Sequence, residues 1–514
     1  MDQRLSLSMP PGIVKKDSLF ATRSRWYDCN LVRFWQGQPQ KWRGWETYIP
    51  PNPIVDPPRA ALAWTTTNGT RLVAWGTAAG LYILKDGVIY DITPVGLVPG
   101  LVTGANGIAP RTWTLQKAGD DLIANPRGGT IFQWVFATGV GVRAAAISGA
   151  PAVCLSIIVT DLRFLVALGA DSPLRVAWSD QEVFTDWTPS LTNKAGDLLV
   201  ENGNELVGSV QTRGGWTLWT DNSTHNFVWV GGDSVFDLDR QGTGVGAISP
   251  NGGVDYDGTS IWMGTDGFYM SDGVVARIEC DVNEFVFGGS RSDLIAAIDR
   301  GWGGDGWGAG PWGGSYENKA VGVNRTQAHK IFACINKAYN EVMWFYPSQG
   351  SDENDSYVTY SKTQGWTTGQ LVRTTWIDKT NVSNAPLATG IDGTVYQHET
   401  GTTADGVPIN YFLQSGGIEI IPQAGESASS QHVRLRRVEP DFGYVEGDHA
   451  LTIEVYSRPR DQSPRIKGPY PIRPETEQFN PRARGRWFSF RWTGEGDFRM
   501  GSVQIYYAPT EGRE

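Results

Sequence analysis

What most constrains this chain is a short antiparallel meander that recurs along it. The clearest copy spans residues 59–94. Its apolar runs at 60–64, 71–75, 81–84 and 88–92 are separated by Asn68-Gly69, by 76–80 and by Asp86-Gly87. Asn-Gly and Asp-Gly suit the positive φ angles of a type I′ turn, whose twist matches that of paired strands. Four strands in meander order with tight turns make one propeller blade. NGTRLVAWGTAAGLYILKDGV from Asn68 lines up with DGTSIWMGTDGFYMSDGV from Asp257, keeping the order of turn, strand, Gly-Thr turn, aromatic strand and Asp-Gly turn. Weaker copies begin at Lys117, Asp161, Gly214, Ala338 and Gly390. The pattern predicts an all-β fold, a β-propeller of six to eight four-stranded blades. A closed ring removes the edges that an open sheet exposes. The hairpin NLVRFWQGQPQKWRGWETY, from Asn30, is placed to supply closing strands to the last unit.

Composition supports many short strands. The 63 Gly and 29 Pro supply turns, and a hydrophobic content of 40% supports a large core. The best helix candidate is 290–301, with Leu294, Ile295 and Ile298 at helical spacing. It runs into GWGGDGWGAGPWGGS at 301–315, which offers few side chains to pack. From Tyr411 the strands become longer and alternate more regularly. The chain therefore divides into an N-terminal arm (1–29), a propeller (30–410) containing the Gly/Trp-rich loop 301–315, and a C-terminal β-sandwich-like module (411–514).

Net charge is −10, and it is unevenly placed. Residues 411–514 hold 14 acidic and 14 basic side chains, so the excess lies in residues 1–410. That argues against tight phosphate binding there, which needs clustered Lys and Arg. The four cysteines, Cys29, Cys154, Cys280 and Cys334, are far apart and form no C-x-x-C. The N-terminal residues lack the apolar core of a signal peptide. The most apolar stretch, 152–170, is interrupted by Asp161 and Arg163, so no membrane span is expected.

Few residues in the chain fall into a pattern that carries chemistry. None of the five histidines (His225, His329, His398, His432, His449) has a His or Cys two to four positions on, so no metal site is expected. GTDGFYMSDG is Gly-rich but lies between strands, where a turn explains it better than a nucleotide loop. SDQEVFTDW from Ser179 faintly resembles the Asp-box turn of sialidase propellers, although its spacing is long and the Gly is absent. No catalytic, metal-binding or cofactor-binding residue and no cofactor is assigned. Most of the 22 tryptophans sit inside strands, as at Trp64, Trp75, Trp216, Trp219, Trp262 and Trp344, which reads as packing between blades. Trp302, Trp307 and Trp312 instead project from the Gly-rich loop. They read either as interface anchors or as a plain surface loop. Arg434, Arg436 and Arg437 are candidate docking residues toward acidic neighbours, with simple surface charge as the alternative.

The wording of the chain also resembles a known family. MPPGIVKK followed by SRWYDCNLVRFWQGQPQKWRGW is similar to the start of tail proteins from short-tailed phages (podoviruses). The likeness continues through TWTLQKAGDDLIA, RFLVALGADSPLRVAWSDQEVFTDWTP, GTSIWMGTDGFYMSDG, NEVMWFYPSQGSDENDSYVTYSKTQGWTTG and DGTVYQHETG. It covers most of residues 8–400 and is looser beyond. The position of the Gly/Trp loop departs from the family pattern. The family comprises tail nozzle or tail hub proteins, tail tubular protein B-like and packaged-DNA stabilisation proteins. The resemblance implies a structural virion protein without enzymatic activity. It implies a homohexameric ring below the portal and adaptor, a docking base for tail fibres or tailspikes, and a conduit for genomic dsDNA without sequence-specific binding. An acidic lumen would let DNA slide, since carboxylates repel phosphates. The alternative is a glycan-binding or glycan-cleaving, sialidase-like propeller of a phage tail.

Overall fold

The computed structural model describes residues 2–16, 18–49, 54–232, 234–288, 322–421, 432–457 and 464–510. The expected helix at 290–301 and the loop 301–315, with Trp302, Trp307 and Trp312, lie outside them.

Six four-stranded antiparallel sheets follow one another, each in meander order, and a seventh, six-stranded sheet follows them. Blade 1 is Ala60–Thr65, Arg71–Gly76, Leu81–Lys85 and Val88–Asp91, within a residue or so of the strands read from the sequence. Blades 2 to 6 open with Trp113–Ala118, Ser156–Val159, Leu206–Thr212, Gly253–Tyr256 and Phe332–Asn336. Blade 7 takes Thr375–Ile377, Leu387–Thr389 and Val395–His398, and its fourth strand is Trp45–Ile49 from far upstream. The opening strand of each blade abuts that of the next, and that of blade 7 meets blade 1. The molecule is a seven-bladed β-propeller closed by its own N-terminal segment.

Side chains alternate between the two faces of a strand, and a blade is covered on both faces by its neighbours. Apolar runs such as RLVAWG are therefore continuous rather than alternating. In blade 1, Leu72 and Ala74 pack against Trp113 and Leu122 of blade 2. Val73 and Trp75 pack the other way, against Leu387 and Val395 of blade 7. The strand tryptophans Trp64, Trp75, Trp216, Trp219, Trp262 and Trp344 are all buried. Trp219 of blade 4 meets Trp262 of blade 5 with ring centroids 5.5 Å apart. Glycines allow some of this contact. A Cβ on Gly253 would stand 2.2 Å from the Trp219 ring, and one on Gly76 would stand 2.4 Å from Trp113.

The rest of the N-terminal segment belongs with the C-terminal module. Gln3–Leu7 pairs with Val503–Pro509 in a sheet that also holds Val433–Glu439. Trp26–Asn30 pairs with Tyr411–Ser415, beside Trp487–Gly494, His449–Tyr456 and Arg465–Ile472. The hairpin Val32–Trp35 and Gln38–Lys41 joins Phe498–Met500 and Phe442–Val445. Of the hairpin segment expected to close the ring, only its end, Trp45–Ile49, does so. The remainder finds apolar partners in the module, where Val32 and Phe34 share one core with Leu451, Phe490, Trp492, Phe498 and Ile505. That core runs on into blades 5 to 7 through Phe268, Trp344, Tyr357 and Trp376, so the module packs on that flank of the propeller.

Candidate functional site

The mouth of the ring where the opening strands begin is closed by the chain itself. Arg59, just before blade 1, donates to the Glu353 carboxylate of blade 6 at 2.6 Å. Lys330, just before the opening strand of blade 6, donates to the same oxygen at 2.8 Å. Burial alone would raise the pKa of Glu353, but the two cations hold it below its usual range. Burial and the nearby Arg59 lower that of Lys330. The backbone carbonyl of Arg59 accepts from Asn251 of blade 5, on the far side of the ring. Gln327 exchanges two hydrogen bonds, both 2.9 Å, with the backbone of Gly104 between blades 1 and 2. Arg127 of blade 2 donates to the carbonyls of Leu206 and Val207 at the start of blade 4. The short 3₁₀ turn Arg325–Lys330 thus lies across the opening. His329 on it is neutral at ordinary pH, because burial and the neighbouring Arg127 lower its pKa.

A second cluster joins the N-terminal hairpin to blades 6 and 7. The fully buried Arg33 grips Glu399 with two hydrogen bonds of 3.0 and 2.8 Å. Asn336 adds a third to the same carboxylate. Glu341 lies 3.3 Å from the guanidinium, yet its Oε2 accepts no hydrogen bond. One cation cannot fully satisfy two carboxylates in a dry site. Burial, with Glu399 nearby, pushes Glu341 up to about 7 despite Arg33. Arg33 itself is held charged: burial opposes this, but the two carboxylates outweigh it. Its plane lies over Tyr339 at 3.7 Å. Nearby, Arg373 donates to Nε2 of His398 at 2.8 Å, and His398 lies between Trp45 and Trp376. Burial and the two arginines keep that imidazole neutral.

The residues singled out in the sequence are placed as follows. Arg434, Arg436 and Arg437 lie on one strand of the module, Val433–Glu439. Arg434 and Arg436 are exposed, while Arg437 pairs with Glu439 and covers the Tyr506 ring. Asp180 of the Asp-box-like segment accepts from the backbone N–H of Lys194 within its own loop, a turn-holding role. Among the described residues no group of three or more His, Cys, Asp or Glu converges for a metal. No helix there is long and apolar enough to cross a membrane. All four cysteines are unpaired, and burial pushes the thiols of Cys29, Cys154 and Cys280 up to about 12.

Sequence reasoning missed Arg33, Arg59, Lys330, Glu341, Glu353 and Glu399. One signal was present, a charge inside an otherwise apolar strand, as in VRFW and EVMWFY. Its partners lie hundreds of residues away.

Large exposed apolar side chains are unevenly spread. Among the described residues of the propeller they gather on blades 1 to 4 and the connections between them, including Val88, Val142, Leu191, Leu199, Trp229 and Val230. Trp229 and Val230 stand near the tip of a hairpin of two nine-residue strands, the longest in any blade. This flank is the one the module leaves free.

No protein-family model matches the chain, and no curated protein does. Solved structures resemble it in outline. The computationally designed Ika8 protein aligns over 76% of this chain and 99% of its own, at 11% identity and a TM-score of 0.35. YCF48 from Cyanidioschyzon merolae aligns over 69% and 98%, at 9% identity and a TM-score of 0.35. The α-L-arabinanase of Penicillium chrysogenum, solved with arabinobiose, aligns over 47% and 86%, at 10% identity and a TM-score of 0.28. Glycoside hydrolases are thus among the structures it resembles. At these values no activity or partner is carried over.

Proposed function

We propose that the chain is a structural subunit of a phage tail, the nozzle or hub of a short-tailed virion. In this reading six copies form a ring below the adaptor, conduct and retain genomic DNA, and offer a base for fibres or spikes. The observation that carries it is the free apolar flank of blades 1 to 4, opposite the module-bearing flank. A closed ring needs two different patches on each subunit, one meeting the other on the next copy, and this molecule carries its module on one flank and leaves the other free. The occupied mouth of the propeller supports the same reading. DNA would pass between copies rather than through a single propeller. The acidic excess of residues 1–410 suits a lumen past which phosphates slide. A hexamer structure with a lumen lined mainly by Lys and Arg would overturn that part. Negative-stain microscopy of the purified chain with its adaptor tests the assembly, with six-fold rings expected.

A glycan-cleaving propeller is the second reading. It is favoured by one pair of convergent carboxylates, Glu341 and Glu399. Glycosidases hold such a pair across a substrate-filled gap of roughly 5–9.5 Å. Here Arg33 fills the space between them; Arg33 and Glu341 are buried, and the Glu399 side chain is 10% exposed. A hydrolysis screen against bacterial polysaccharides is expected to show no turnover.

A further inference from the structure

A cavity of about 260 Å³ opens where the N-terminal hairpin, blade 6 and the module meet. Its lining includes Trp35 and Arg43 from the N-terminal segment, Tyr339 from blade 6, and Tyr444, Asp497 and Arg499 from the module. Ligand pockets favour such junctions. Trp35 and Tyr339 meet edge to face, with centroids 5.5 Å apart. Tyr444 is 43% exposed, although a core would have used its ring. Arg43 is exposed and forms no ion pair among the described residues. Arg499 donates through Nη2 to Trp35 O and Gln36 Oε1, but its Nε is buried without a hydrogen bond. A buried donor without a partner costs about 1–3 kcal/mol, so it calls for an acceptor. Asp497 adds a carboxylate, whose pKa burial raises.

We propose that this cavity binds the end group of an acidic saccharide, one pyranose ring carrying a carboxylate. The aromatic rings would cover the C–H face of the sugar. Arg43 and Arg499 would take the carboxylate, whose planar shape matches a guanidinium fork. The tyrosine hydroxyls and Asp497 would exchange hydrogen bonds with sugar hydroxyls. A nucleotide shares the stacking and the anion but fits less well. The volume falls below the ~300–1,000 Å³ of pockets for larger ligands. The proposal is independent of ring assembly, since one copy supplies every wall.

Saturation-transfer NMR on the full chain with D-glucuronate, methyl β-D-glucuronide, D-glucose and dAMP tests it. Both glucuronates, or either alone, are expected to bind, and glucose at least about ten-fold more weakly, the loss of one charge-assisted contact. Tighter binding of the methyl glycoside assigns a polysaccharide chain end, and tighter binding of the free acid assigns the monosaccharide. Arg43→Ala and Tyr444→Ala, both at exposed positions, should each weaken binding about ten-fold without moving the unfolding midpoint. Four results would each overturn the assignment: no transfer to either glucuronate at about 10 mM, equal binding of glucose, tighter binding of dAMP, or indifference to both substitutions.

Discussion

Trp219 is fully buried between blades 4 and 5, whereas Trp229 is 52% exposed near the tip of blade 4's hairpin. Removing a buried Trp leaves a cavity as well as losing transfer energy, so Trp219→Ala should cost about 3–5 kcal/mol. Trp229→Ala should change monomer stability by no more than about 0.5 kcal/mol, as exposed positions do. Urea unfolding of the two variants measures both. Glu341 sets a pH prediction. Its pKa in the folded chain is raised to about 7, so the folded form holds this proton more tightly than the unfolded form. Its favourable contribution is complete below the usual glutamate range and is lost as pH rises through about 7. Glu341→Gln, which keeps the neutral shape, should be more stable than the parent above pH ~7, and the gap should close as pH falls to ~4.5. A gap that ignores pH would contradict the assignment. At this scale the sequence showed which tryptophans are core, because a strand buried on both faces reads as an unbroken apolar run. It did not show Arg33 with Glu341 and Glu399, because nothing local says where a buried charge finds its counter-charge.

The strand Trp45–Ile49 is the element on which ring closure depends. It pairs with Val395–His398, nearly the full length of the propeller away in sequence. Strands Gln3–Leu7 and Trp26–Asn30 upstream of it are built into the module's sheets. Removing residues 1–49 would leave Val395–His398 as an open edge and strip all three module sheets of one or two strands. Hydrogen exchange on that truncation should show protection lost in blade 7 and beyond Tyr411, with blades 2 to 4 retaining most of theirs. Uniform loss across all blades would mean that closure is not local to blade 7. Blades 1 to 6 were legible because each is one local meander with its own turn signals. That Gln3–Leu7 pairs with Val503–Pro509 was not, since strand partners that far apart leave no local periodicity.

The whole molecule is a closed, plugged propeller with a β module on one flank and exposed apolar side chains on the other. Fold alone does not fix function. Arg59, Lys330, Glu353 and Gln327 occupy the mouth of the ring. The assembly reading uses what remains, two unlike flanks and an acidic surplus. Trp229→Asp with Leu199→Asp places charge on the free flank and should abolish rings while leaving the monomer folded, as sedimentation and circular dichroism would show. The most direct measurement is electron microscopy of the purified chain mixed with its adaptor. The account predicts six-fold rings with the free flank of each copy against its neighbour. Single, unassociated propellers at every concentration, with or without the adaptor, would contradict it.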